Sequence, residues 1–91
     1  MRMSDDEVKD ELSKLGGWER EGDALVREFE FSNFVGSVDF VNRLTPKAEE
    51  MNHHPDLCIS WNKVEISLST HSEGGITEND FALAREIDGV A

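Results

Sequence analysis

The sequence predicts an α+β fold, a two-layer sandwich in which a four-stranded antiparallel sheet carries helices packed on one face. Two observations lead there. Apolar residues recur at helical spacing in stretches near 8–15, 34–51 and 81–87, each preceded by residues that cap helices. Between these stretches lie two pairs of runs with strand alternation, each pair joined by a short polar turn. The order is therefore helix, hairpin, helix, hairpin, helix, with no repeat and no low-complexity segment, and hairpins impose antiparallel pairing. At 91 residues the chain fits one small domain, 1–91, without a long internal linker.

Ser4-Asp5-Asp6-Glu7 has the form of a capping box, and Val8, Leu12 and Leu15 follow at helical spacing before Gly16-Gly17 ends the helix. Trp18-Glu19-Arg20 and the alternating run from Leu25 to Phe31 flank Glu21-Gly22-Asp23 and read as the first hairpin, with Leu25, Phe29 and Phe31 on one face. Ser32 is the expected N-cap of a second helix, whose apolar stripe is Phe34, Val38, Val41, Leu44, Ala48 and Met51. Pro46 falls inside it and is expected to kink or split the helix around Thr45. Thr77-Glu78-Asn79-Asp80 then caps a third helix that carries Phe81, Ala84 and Ile87.

Twenty acidic against nine basic residues give a net charge of −11, which repels nucleic acid and anionic membranes. Neither is expected as a partner. So self-repelling a chain gains from the short screening length of concentrated salt, and the acidity reads as adaptation to high salt or as that of an ordinary acidic protein. The lone cysteine, Cys58, sits in a strand pattern and reads as a small packed side chain in a reducing, cytoplasmic setting. The first residues turn acidic without an apolar export segment, and no apolar run is long enough to span a bilayer.

All three histidines fall between Glu49 and Asp80. There, Leu57 to Trp61 and Val64 to Leu68 form the second hairpin, with Asn62-Lys63 as its turn. That register pairs residue 61 with 64, 59 with 66 and 57 with 68; extended outward past Pro55, it brings His54 opposite His71. Imidazoles titrate near neutrality and can give or take a proton there, so a cluster of them suits acid–base chemistry. A metal triad is the rival use, but neighbouring strand residues point to opposite faces and no His-Glu-x-x-His pattern is present.

At these residues the chain resembles the pterin-4a-carbinolamine dehydratase family. The pattern Glu, three residues, His-His-Pro, five residues, an aromatic, nine residues, His, eight residues, Asp is met by Glu49, His53, His54, Pro55, Trp61, His71 and Asp80. The likeness extends through Gly17-Trp18, Phe29-x-Phe31-x-x-Phe34, Asn62-Lys63-Val64, Ser69-Thr70-His71 and Leu83-Ala84, covering residues 12 to 90 approximately. Departures are Pro46 and Leu57-Cys58, where many members carry a bulky aromatic.

The resemblance implies loss of water from a 4a-hydroxytetrahydropterin to give quinonoid dihydropterin, with no metal and no cofactor. It implies an acid role for His53 and His71, substrate hydrogen bonding for His54, and orientation of the imidazoles by Glu49, one helical turn before His53. Asn52, Ser69, Thr70 and Asp80 are the remaining substrate-binding or orienting candidates, although Asp80, three residues after Thr77, fits a helix cap better. Trp18 and Trp61 serve either as walls for the flat pterin or as core and rim packing. Family members form dimers or tetramers, so a homodimer or homotetramer is expected. The alternatives are a non-catalytic interaction or dimerisation module on the same fold, and an enzyme acting on another pterin in folate or molybdopterin metabolism.

Overall fold

A computed structural model describes residues 1–91. Along the chain come α1 (Asp5–Ser13), β1 (Glu19–Glu21), β2 (Ala24–Glu30), α2 (Phe34–Met51), β3 (Asp56–Ser60), β4 (Lys63–Leu68), a 3-10 turn at His71–Glu73, and α3 (Glu78–Val90). The four strands form one antiparallel sheet in the order β1-β2-β4-β3. The predicted α+β architecture is the one observed.

Alternation decides which face the helices cover. Val64, Ile66 and Leu68 of β4 are buried, and the register sets Phe29 opposite Val64 and Leu25 opposite Leu68, so one face of the central strand pair is apolar. Phe40 and Leu44 of α2 and Phe81, Leu83, Ala84 and Ile87 of α3 complete the core with them. Phe29 and Phe31 hold Phe40 between them, at ring-centroid distances of 4.8 and 5.0 Å. The opposite face carries Glu28 directly across from Glu65, a like-charge pair that brings part of the net acidity onto the sheet.

Several local expectations need correction. The N-cap of α2 is Asn33, not Ser32: its side-chain oxygen accepts the Gly36 N–H at 2.9 Å. The buried stripe is Ser37, Phe40, Leu44 and Ala48, whereas Phe34 is exposed in the first turn. Pro46 does not split α2, which runs unbroken to Met51. The proline and Asn42, whose carbonyl loses its helical donor, both lie on the exposed side, where water can replace the missing bond.

The second hairpin turns at Trp61-Asn62, so Ile59 pairs with Val64 and Leu57 with Ile66, two positions from the expected register. A shift of two keeps every side chain on its face, which is why the alternation was still readable. Trp61 takes φ +50° in this turn. Cys58 is exposed and not packed, because β3 is an edge strand and Cys58 points to the uncovered face opposite Glu65. No helix is long and apolar enough to cross a membrane.

At the start of α1 the Ser4 hydroxyl accepts the Glu7 N–H, and the Glu7 carboxylate accepts the Ser4 N–H at 2.9 Å. The Ser4 amide first, and its hydroxyl second, hold the Glu7 carboxyl below its ordinary value of 4.5. A carboxyl lowered by folding stabilises the fold fully above that ordinary value, and the contribution is lost as pH falls through the folded one. An NMR titration should place Glu7 below 4.5 in the parent and nearer to it in Ser4→Ala. Ser4→Ala should also lose about 1 kcal/mol of stability at neutral pH.

Candidate active site

The end of α2 sets the first two histidines. Asn52 adopts the left-handed conformation at φ 49°; its N–H donates to Glu49 O at 3.1 Å and the His53 N–H donates to Ala48 O at 3.0 Å. This is a Schellman closure, which satisfies the last carbonyls and turns the chain sharply out of the helix. Asparagine is among the few non-glycine residues that accept this conformation readily.

The turn redirects the carboxylates. In a continued helix Glu49 would sit one turn before His53; once the chain swings away at Asn52, the Glu49 carboxylate pairs with His54 Nε2. Both side chains of that pair are more than half exposed. Of the imidazoles that Glu49 was expected to orient, it holds His54 and not His53.

The carboxylate that holds His53 is Asp80, whose Oδ1 lies 2.5 Å from His53 Nε2. Asp80 is fully buried, and the His53 side chain is 13% exposed. The other oxygen of Asp80 accepts the Thr77 N–H and the Thr70 hydroxyl, each at 2.9 Å. A hydroxyl has one proton, so with Thr70 donating to Asp80, the 2.8 Å contact between the two threonine hydroxyls must run from Thr77 to Thr70. Asp80 is thus both the N3 residue of the α3 capping box and the partner of His53, and the two readings of this residue hold together. With Oδ2 occupied by two donors, Oδ1 is the oxygen that meets His53 Nε2, and Nδ1 is the ring nitrogen that Asp80 leaves free.

Thr70 links this cluster to the third histidine, since it immediately precedes the 3-10 turn that begins with His71 and its carbonyl accepts the Glu73 N–H at 3.0 Å. Asp56 pairs with Ser67, so the segment ending in His53-His54-Pro55 and the segment Ser69-Thr70-His71 leave the same end of the sheet side by side. His71 is not opposite His54: extended outward, the observed register sets Ser69 there. His71 is exposed and lines an open concavity of about 360 Å³ with Asp56, Ser67, Ser69 and Asp23. Ser69 donates to Asp23 O at 2.8 Å, which ties this rim to the first hairpin.

The tryptophans are not brought to this cluster. Trp18, at the opposite edge of the sheet, is 4% exposed, packs edge-on against Phe29, and donates its indole N–H to Asp88 at 2.9 Å. Trp61 is 67% exposed beyond the far end of β3. At about 3.3 Å per strand residue, that is on the order of 17 Å from Asp56. The wall reading is corrected for both within one chain. Asn52 contributes its backbone conformation. The sequence reading treated Thr77 only as a cap; its proximity to Thr70 depends on long-range folding. No group of three or more His, Cys, Asp or Glu side chains has an arrangement able to hold a metal ion.

Comparison with known proteins places this geometry among relatives. A family model described as Pterin 4 alpha carbinolamine dehydratase matches residues 1–90. The chain is 49% identical over 88 residues to a candidate pterin-4-alpha-carbinolamine dehydratase of Sulfolobus acidocaldarius, covering 97% of each. It is 48% identical over 90 residues to another from Thermosynechococcus vestitus, covering 99% of this chain and 95% of the relative. A solved structure of a transcriptional coactivator/pterin dehydratase from Brucella melitensis matches with TM-score 0.96 at 33% identity, covering 100% of this chain and 99% of that one. A pterin dehydratase-like protein identified as a RuBisCO assembly factor in the alpha-carboxysome matches with TM-score 0.66 at 24% identity, over 81% of this chain and 86% of that one, a likeness of fold alone.

Removing a member of the buried cluster strands polar partners, whereas removing an exposed hydroxyl does not. Thr70→Val should therefore lose about 1–3 kcal/mol in urea denaturation. Ser69→Ala should stay within about 0.5 kcal/mol of the parent. Equal losses in the two variants would contradict the network.

Proposed function

The chain belongs to the pterin-4a-carbinolamine dehydratase family, and on that premise we propose that it removes water from a 4a-hydroxytetrahydropterin to give the quinonoid dihydropterin, in tetrahydropterin recycling. The reaction is an elimination. The carbon–oxygen bond at the 4a position breaks, its hydroxyl takes a proton and leaves as water, and the neighbouring ring N–H gives up a proton as its electron pair forms the new C=N bond. Oxidation state does not change overall, so proton donors and acceptors suffice.

The observation that carries the proposal is the His53–Asp80–Thr70 chain, which ends at the residue before His71. Asp80 holds His53 by Nε2 and leaves Nδ1 for the substrate, so the imidazole enters the reaction already oriented. His71, exposed on the rim of the concavity, is the second acid. His54, paired with Glu49, hydrogen-bonds the pterin. His71 lines an open concavity of about 360 Å³, near the lower end of ordinary small-molecule sites, while His53 and His54 lie outside its lining. The ring is what this chemistry specifies; the substituent on it is left open, so a related pterin remains within the reading.

The same scaffold supports a second reading as an interaction module, favoured by exposed apolar groups at one sheet edge. Leu57 and Ile59 are each 39% exposed, and Phe34, Val35 and Trp61 are more so. They belong together, because the Ser37 hydroxyl of α2 donates to Trp61 O at 2.7 Å and holds the first turn of the helix against the hairpin tip. An unpaired edge strand beside such a patch suits a second copy of the chain. Light scattering at salt high enough to screen the charge should report a dimer or tetramer, and Leu57→Glu should shift it toward monomer. A monomeric parent at micromolar concentration would remove the oligomer.

Catalysis is tested by following the absorbance of a freshly generated 4a-hydroxytetrahydropterin with chelator present. His71→Ala should melt within a few degrees of the parent, since an exposed imidazole contributes little to packing. His53→Ala should also lose about 1–3 kcal/mol of stability, because Asp80 then lacks a partner. Each rate should fall by about 10²-fold or less where one imidazole partly replaces the other, and the double variant should lose more than either. Parental rates in the double variant, or activity abolished by chelator, would overturn the assignment.

A further inference from the structure

The loop that carries His71 is closed on itself and held from outside by a segment far away in sequence. Thr70 and Gly75 form an isolated bridge, with the Thr70 N–H donating to Gly75 O at 2.9 Å and the Gly75 N–H to Thr70 O at 3.3 Å. Within it, the Gly74 N–H donates to His71 O at 3.1 Å, and Gly74 takes φ +69°, a conformation suited to glycine. The outer limb, Gly74 to Ile76, lies beneath Arg2 and Met3. The Met3 N–H donates to Ile76 O at 2.8 Å, and Arg2 Nη1 reaches Gly74 O at 3.4 Å.

Contact between Arg2 and the loop is close. A Cβ placed on Gly75 would meet Arg2 Cδ at 2.4 Å and Cγ at 3.0 Å, so the aliphatic stem of Arg2 lies directly across this position and would have to move aside for any larger residue. Gly75 does not take a positive φ, so the change to alanine acts through this contact and not through the backbone. Met3 is half-buried against the core and anchors this segment before the Ser4 cap of α1.

We propose that Arg2 and Met3 form a strap that positions His71. They are positioning residues, since they touch the loop backbone and not the imidazole. By pinning the outer limb of the Thr70–Gly75 bridge, the strap limits the excursions of the 3-10 turn on which His71 rides. The same bridge includes Thr70, the hydroxyl donor to Asp80, so displacement of the strap is felt on the His53 side as well. The assignment of a catalytic consequence rests on His71 acting on the substrate as proposed above.

The test uses the full chain with Arg2→Ala, Gly75→Ala and the double variant, read first by NMR and then by dehydratase kinetics. Gly75→Ala keeps the strap residues and pushes the Arg2 stem off the loop; amide exchange of residues 72–75 should quicken by about tenfold, and the His71 ring resonances should shift. Arg2→Ala should move the same signals in the same sense. In the double variant, Gly75→Ala should add almost nothing, because the stem it displaces is already gone, so the two effects are non-additive. Melting temperatures should stay within a few degrees of the parent while kcat falls several-fold and KM changes little. Unchanged exchange and unchanged His71 resonances in both single variants, or strictly additive effects, would overturn the strap. Quickened exchange in the variants together with a parent that shows no dehydratase activity would leave the strap standing and overturn the reading of function instead.

Discussion

One buried carboxylate holds the site and the fold in common. Asp80 has no exposure to solvent, and a carboxyl group in that position is tolerated only when its oxygens are satisfied. Its donors come from three parts of the chain: the Thr77 backbone at the start of α3, the Thr70 hydroxyl just after β4, and the His53 imidazole just after α2. The third helix, the central hairpin and the second helix therefore meet at one group. The same carboxylate that caps α3 through one oxygen holds His53 through the other, so the placement of that imidazole is tied to the packing of α3.

The rest of the architecture explains why the site lies at one end of the sheet and remains open. α2 and α3 cover the central strands β2 and β4, whose inward residues are buried, but the cover thins toward β3, all of whose residues are exposed. At the His53 end of β3 this leaves an accessible rim of polar groups around His71, and at the Trp61 end an apolar patch. One edge strand thus separates two surfaces of different chemistry. The uncovered face of the sheet is acidic, with Glu28 across from Glu65, which places a share of the net charge where salt can screen it.

Membership in the family is shown by the match over residues 1–90, and the structure adds how the two neighbouring histidines are held. Glu49 serves His54 and Asp80 serves His53, an allocation in which one histidine is held in a nearly buried setting and the other is left with a solvated partner.

Signals confined to a few neighbouring residues were legible in the sequence. The Ser4–Glu7 and Thr77–Asp80 boxes, the alternation of β2 and β4 and the three helices follow from local hydrogen bonding and from periods of 2 and 3.6 residues, which the sequence states directly. That the two segments flanking the second hairpin leave the sheet side by side followed too, because any hairpin over 57–68 brings its flanks together, even with the turn moved to Trp61-Asn62. What only the tertiary structure decided were the pairings. The left-handed turn at Asn52 breaks the helical step from Glu49 to His53, so the carboxylate close in sequence goes to His54 and one 27 residues away goes to His53. Trp18 was an equal candidate with Trp61 for the site until packing sent one into the core and the other to the hairpin tip. Phe40 displaced Phe34 in the buried stripe because burial depends on where α2 meets the sheet. The physical reason is common to all three: a period or a cap is a property of adjacent residues, whereas the partner of a side chain is set by which distant surface the closed chain lays against it.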